Sequence, residues 1–276
     1  MYKRQFRRRT YWNQRYHCRK GNENYLWFKV FRKLYKDLKE NLPEKSIIYL
    51  AGDIAHAKTE MSPELIQEIS WFLTECAKLR ETILITGNHD CNLNNSHRLD
   101  VLTPIIKNLD NPRIHYLRDT GVYPIHNLTF VVYSILDNKD NWPKGKDVEG
   151  ENTICLFHGP VNKAQTDIGY TVSSNSFQVD MFDGFDMAML GDIHKRQTFG
   201  EGYEHIAYAG SMVQQNHGEL LENHGYLLWD IPTRTFTEHH LHNDYGFLTV
   251  DVVQGKIPQW VYDEIGTKLP KYPRLR

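Results

Sequence analysis

The chain lacks the marks of several protein classes. No apolar run approaches the ~20 residues needed to cross a bilayer, and residues 1–20 hold no apolar stretch of the kind a secretory signal carries, so a cytoplasmic protein with no membrane partner is expected. Cysteine is scarce: Cys18, Cys76, Cys91 and Cys155 show no CxxC spacing, which argues against a zinc knuckle or a disulfide framework and leaves four free thiols. Acidic residues are missing from residues 1–20, which carry eight Lys or Arg; the remainder holds 25 bases against 34 acids, a net charge of −9. An acidic body of this kind is not an obvious polyanion binder, so any nucleic-acid contact has to come from metals and a local basic groove. Internal repeats and low-complexity tracts are also absent.

What is present is ordinary for an α/β protein: 276 residues, 40% hydrophobic and 24% charged, enough for one large domain with a small appendage. Trp27, Phe31, Leu34, Tyr35 and Leu38 recur at helical spacing and predict a helix over Tyr25 to Glu40. A short apolar run, Ser46 to Ala51, reads as a buried strand that stops at Gly52-Asp53. Ser62-Pro63 then opens a helix carrying Leu65, Ile66, Ile69, Phe72 and Cys76, and Thr82 to Thr86 forms a strand ending in Gly87-Asn88. Further strands are predicted at Thr129 to Ile135, at Thr153 to Phe157 leading into His158, and at Asp186 to Leu190 leading into Gly191-Asp192. Ile206 to Ala209, Tyr226 to Ile231, Thr235 to His240 and Phe247 to Val252 suggest a second sheet, and Asn138 to Asn152 reads as an exposed loop.

The chemistry-bearing motifs all stand at predicted strand ends, where open α/β sheets place their ligands. Two divalent ions about 4 Å apart repel by roughly 5 kcal/mol even at the dielectric of water, so a dinuclear site needs a bridging anion. Asp53 is the candidate bridge, with Asn88 and imidazoles completing shells suited to manganese or iron. His89, steered by Asp90, would stabilise charge or protonate a leaving oxygen, and His56 would assist at the same phosphate. Gly-Asp or Asn-His alone commonly makes a turn or cap; the recurrence of such motifs after four strands is what points to a shared metal site. His115, His205, His239 and His240 lie outside the motifs and are read as surface or packing residues.

Gly52-Asp53-Ile54-Ala55-His56, Gly87-Asn88-His89-Asp90, His158-Gly159 and Gly191-Asp192-Ile193-His194 resemble four of the five motif blocks of the calcineurin-like metallophosphoesterase superfamily. Ala57-Lys58-Thr59, Asn94 to Asp100 (NNSHRLD), Pro160-Val161, Lys195-Arg196-Gln197 and the stretch Tyr208 to Glu219 narrow the resemblance to SbcD-type nuclease subunits, phage-encoded ones included, over about residues 25 to 250. The resemblance implies a two-sheet αββα sandwich with the start of a small capping domain at the C-terminus. It further implies two divalent metal ions, manganese first among them, held by His17, Asp53, Asn88, His158, Asp192 and His194. His89, His56 and Asp90 would act at the phosphodiester, and Lys195, Ser211 and Gln214 would bind substrate.

The implied activity is DNA hydrolysis in recombination and double-strand-break repair, beside an SbcC-type ABC ATPase and as a homodimer, in the host cytoplasm if the protein is phage-encoded. Two departures stand out. Asp192 replaces the usual histidine, although a carboxylate is also a competent hard-metal ligand, and Arg15-Tyr16-His17 stands where the superfamily has D-x-H. Residues 1–20 are therefore expected to be either a sequence artefact or a basic nucleic-acid-binding arm, with 21–242 the nuclease domain and 243–276 a partial cap. The ATPase-binding segment is expected to be missing. The alternatives are a phosphomonoesterase of the same superfamily and a catalytically impaired DNA-binding scaffold.

Overall fold

The structure is a computed structural model that describes residues 23–55, 61–173 and 177–276. Helices α1 (Glu23–Asn41) and α2 (Pro63–Leu79) flank strand β1 (Ile47–Leu50), and β2 (Glu81–Leu84), α3 (Leu102–Leu109) and β3 (Ile114–Tyr116) follow. β1, β2 and β3 make a parallel three-stranded sheet. The second sheet contains β4 (Gly121–Ile125), β5 (Leu128–Tyr133), β6 (Thr153–His158), β7 (Met187–Gly191), β8 (Gln197–Thr198) and β9 (Ile206–Tyr208), in the order β4-β5-β6-β7-β9-β8. Its four central strands run parallel, while β4 and β8 pair antiparallel at the edges. β10 (Gly225–Asp230) and β11 (Thr235–His240) form an antiparallel pair. β12 (Tyr245–Leu248) and β13 (Tyr272–Leu275) form a parallel one, with α4 (Gln259–Glu264) between them.

The sheets pack face to face through Ile83, Ile85 and Leu117 from the first and Phe130, Val132, Ile154, Leu156 and Met187 from the second. On the outer face of the first sheet, α2 and α3 bury Ile69, Leu73, Leu102 and Ile105 against Leu84 and Ile114. The far face of the second sheet places Val131, Tyr133, Cys155 and Phe157 under Phe182, Phe185 and Trp142, so 3-10 turns and loops rather than α-helices form that outer cover among the described residues. The mixed α/β sandwich predicted from the sequence is thereby present. Cys76, Cys91 and Cys155 are buried; Cys18 lies outside the described residues. No described helix is long and apolar enough to cross a membrane.

Three points differ from the sequence expectation. Ile206–Tyr208, Gly225–Asp230, Thr235–His240 and Tyr245–Leu248 do not form a sheet of their own: β9 joins β7 in the six-stranded sheet, β10 pairs with β11 and β12 with β13. Asn138 to Asn152 is not a uniformly exposed loop: Trp142 stacks on Tyr133 with ring centroids 4.7 Å apart and donates its indole N–H to Ser134 O. Two 3-10 turns, Lys139–Asn141 and Gly145–Asp147, hold it in place. The last predicted strand begins earlier, at Tyr245, and stops at Leu248, so Val250 instead joins Val261 and Leu269 in a small cluster of its own.

Asp100 fixes the loop that follows Gly87-Asn88-His89-Asp90. Its Oδ1 accepts from the amides of Leu102 and Thr103, and its Oδ2 from the Thr103 hydroxyl and Arg118 Nε. Burial alone would raise this carboxyl, but the Thr103 and Arg118 hydrogen bonds outweigh it and hold the group below its ordinary range. Its stabilisation is therefore complete above the unfolded pKa near 4 and is lost as pH falls through the folded value. Asp100→Ala leaves Arg118 and the α3 amides without this partner, and should cost about 3 kcal/mol in a chemical denaturation at pH 7, with a smaller penalty at pH 3.

Candidate metal centre

Each site loop leaves the carboxyl end of a parallel strand. β1 delivers Asp53, β2 delivers Asn88 and His89, β6 ends on His158 and β7 leads into Asp192. Backbone contact between these loops explains the glycines. A Cβ on Gly87 would stand 2.2 Å from both Asp53 N and Asp53 Oδ1, and one on Gly191 would stand 2.1 Å from Ala51 O, so a side chain at either position would push a donor group out of place. Asp53 and Asp192 themselves adopt positive φ, 56° and 94°, a strained state for non-glycine residues that turns their carboxylates sharply off the strand ends.

One donor atom each from Asp53, His158 and Asp192 lies within 4.8 Å of the other two. His158 Nδ1 donates to Ala51 O at 2.6 Å, which points Nε2 at Asp53 Oδ2 (3.4 Å) and Asp192 Oδ1 (3.8 Å). His158 Nε2 and Asn88 Oδ1 are both buried and lack a hydrogen-bond partner. Orphaned buried polar atoms are costly, and two of them among clustered carboxylates fit the donors of a cation site. The donor set of two carboxylates, an imidazole nitrogen and an amide oxygen thus fits a divalent ion of the manganese, iron or zinc kind.

Without metal, the charges compensate one another. Burial pulls the His158 imidazole down, but Asp53, then Asp192 and the Ala51 carbonyl, outweigh it and raise the group to about 9. Burial pushes Asp53 up, yet His158 and the His89 amide hold it below the ordinary carboxylate range. Asp192 is raised, by burial first and by the Asp53 charge against the opposing pull of His158.

The other predicted residues fall into distinct positions. His194 lines the same cavity as Asp53, His89, His158 and Asp192, with its Nδ1 2.9 Å from Glu219 Oε1. Burial lowers the His194 ring pKa, but Glu219 overcomes this and the net shift is upward. His89 donates its backbone N–H to Asp53 Oδ1 at 2.8 Å. The fully buried Asp90 carboxylate accepts from the amides of Asp53, Ala55 and Gly87 at 2.7 to 2.9 Å, tying the first two motif loops together.

Ser211 is buried and spends its hydroxyl on Val213 O and His224; Gln214 is buried and holds the backbone of Glu219 and Phe247. Both sit as supports under the site. Lys195 stays at the surface with Nζ 3.4 Å from Gln165 Oε1. His17, Arg15 and His56 lie outside the described residues.

Sequence reasoning missed Glu219 and the Ala51 carbonyl, which orient the two imidazoles. Metal-binding histidines commonly need such a partner for the second ring nitrogen. No spacing rule reveals a carboxylate 25 residues downstream or a main-chain oxygen 107 residues upstream.

Fold and donor set define a metal-binding α/β sandwich protein with its site at the strand ends. The chain belongs to the calcineurin-like phosphoesterase family, whose pattern it matches over residues 24–196, and so to a class of metal-dependent phosphoester hydrolases. It is also 40% identical over 271 residues to an uncharacterized protein, R555, of Acanthamoeba polyphaga mimivirus. That match covers 94% of this chain but 19% of the relative, so the chain spans about a fifth of that protein's length.

Proposed function

We propose that the chain is a manganese-dependent nuclease that hydrolyses phosphodiester bonds in DNA during recombination and double-strand-break repair, as the nuclease subunit beside an SbcC-type ABC ATPase. The Asp53–His158–Asp192 group with the orphaned oxygen of Asn88 carries the phosphoester part of this reading. The SbcD-type motifs carry the choice of DNA. Bound divalent ions supply Lewis acidity toward the phosphate and an activated water. Asp53 and Asp192 provide the negative charge that holds such ions, and His158 and His194 are fixed by Ala51 O and Glu219 so that their Nε2 atoms remain for binding. His89 delivers the proton to the departing oxygen. In the same reading residues 21–242 are the catalytic domain and residues 243–276 begin a cap over bound DNA; the full-length assembly is a homodimer.

The test is cleavage of end-labelled single- and double-stranded DNA with manganese, run in parallel with nitrophenyl phosphate. The chain is expected to cut DNA, and His89→Ala to lose activity by about a hundredfold or more, the range for removing a general acid, while retaining manganese in equilibrium dialysis. Hydrolysis of nitrophenyl phosphate without DNA cleavage would identify a phosphomonoesterase instead. A folded, manganese-loaded protein that binds DNA and cuts neither substrate would be a scaffold.

A further inference from the structure

The loop that follows β6 and His158 folds back on itself beside the metal centre. Its base is buried, since Val161, Ala164 and Val172 belong to the core on the far face of the second sheet. Beyond that base Lys163 N donates to Val172 O, Gln165 bridges Thr171, and Thr166 N donates to Tyr170 O at 2.9 Å. Asp167, Ile168 and Gly169 make the reversal, which is closed by Gly169 N donating to Thr166 O, with Gly169 at φ 80°. A three-residue hairpin loop of this kind needs a left-handed third residue, and glycine takes that conformation without strain.

Side-chain clamps tie the hairpin to the segments around His194. Gln197 accepts from Gln165 N and donates to Gln165 O, both at 2.8 Å, while Lys195 Nζ lies 3.4 Å from Gln165 Oε1. Asp167 Oδ2 accepts from the amide of Leu220, the residue after the Glu219 that holds His194 Nδ1. A Cβ on Gly218 would stand 3.2 Å from Ile168 Cγ2. The tip is thus mounted both on the segment that carries His194 and on the one that orients it.

What this mount presents to water is apolar. Ile168 is 73% exposed, Tyr170 60% and Leu220 53%. Scattered single apolar side chains are ordinary on a surface; here a ring and two branched aliphatics share one hydrogen-bonded turn next to a metal centre. Groups held rigidly in advance lose less entropy when a ligand binds against them. Lys163 is exposed on the hairpin and Lys195 stands beside it, so positive charge flanks the ring, while the Asp167 carboxylate is engaged by Leu220. An aromatic face with an aliphatic wedge and neighbouring cations suits an unstacked base and its phosphate.

We propose that the tip at residues 167–170 is a docking point for an unpaired nucleobase of DNA, stacked on Tyr170 and edged by Ile168, which gives the chain a preference for DNA ends of single-stranded character. This rests on the nuclease reading above and adds to it which DNA structure the site favours.

The manganese-loaded full chain is titrated into three labelled duplexes of one length, all with cleavage-resistant phosphorothioate linkages, and binding is followed by fluorescence anisotropy. One duplex is blunt, one has three unpaired thymidines at an end, and one has the same overhang made abasic, which keeps its phosphates. The thymidine overhang is expected to bind roughly tenfold tighter than the abasic one. Tyr170→Ala should bring the two within about twofold, and Tyr170→Phe, which keeps the ring, should retain the difference. Equal affinity of the parent for both overhangs, a difference that survives in Tyr170→Ala, or one lost in Tyr170→Phe would overturn the proposal and leave the exposed tip to a protein partner. Cleavage of ordinary DNA tests the nuclease reading separately. A base-dependent preference in a chain that cuts no DNA would keep the docking point and remove the nuclease, and cleavage without that preference would do the reverse.

Discussion

Asp53→Asn is expected to abolish manganese binding and to lower phosphoester hydrolysis by about a thousandfold or more, on the scale of removing the principal electrostatic group of an active site. The substitution keeps the shape of the side chain and an oxygen to accept the His89 amide, so the loop geometry is retained. What disappears is one negative charge at a largely buried position, where a divalent ion would meet a weaker, neutral donor. Differential scanning calorimetry separates this from misfolding. The metal-free variant should unfold within a few degrees of the parent, and added manganese should raise the parent's Tm while leaving the variant's unchanged. A variant that still takes up manganese and still hydrolyses substrate would remove Asp53 from the metal centre.

The pattern around Asp53 was legible because burial on both faces forces a parallel strand to read as a continuous apolar run. Ile47–Leu50, Glu81–Leu84, Thr153–His158 and Met187–Gly191 could thus be found within a residue or two, and the motifs at their ends then shared one edge of the sandwich. Elements without such a run escaped. Strand Gly121–Ile125 lies at a sheet edge, alternates half-buried and exposed residues and contains Pro124, a residue that edges tolerate because no ladder donor is required there. Helix Leu102–Leu109 is a short helix with Pro104 in its first turn; Asp100 just ahead of it accepts from the Leu102 and Thr103 amides, and is itself held by Arg118, a contact that only the tertiary structure supplies. At the site, Asp53, Asn88, His158 and Asp192 were readable as donor types in turn motifs. The locking roles of Glu219 and Ala51 were not, because each depends on which loop tops come together.

Metal uptake is expected to depend steeply on pH through His158. Its Nδ1 hydrogen is committed to Ala51 O, so the second proton of the imidazolium sits on Nε2, the atom that faces Asp53 and Asp192. An ion can take that position only after the proton leaves. With the imidazole raised to about 9 by Asp53 in spite of its burial, manganese affinity should rise about tenfold per pH unit from pH 5 to pH 8, roughly a thousandfold in all, and flatten above pH 9. Stability of the metal-free protein runs the other way. A raised folded pKa stabilises fully below the unfolded value near 6.5, and that contribution is lost as pH climbs through about 9, because the neutral imidazole no longer screens the two carboxylates from each other. Calorimetric titration in two buffers of different ionisation heat should report close to one proton released per ion bound below pH 8. A pH-independent affinity across this range, with no proton release, would place the ion away from His158. In the expected case, manganese replaces the imidazolium charge at the position it vacates, so the stabilisation lost by metal-free protein above pH 7 should be recovered on adding the ion.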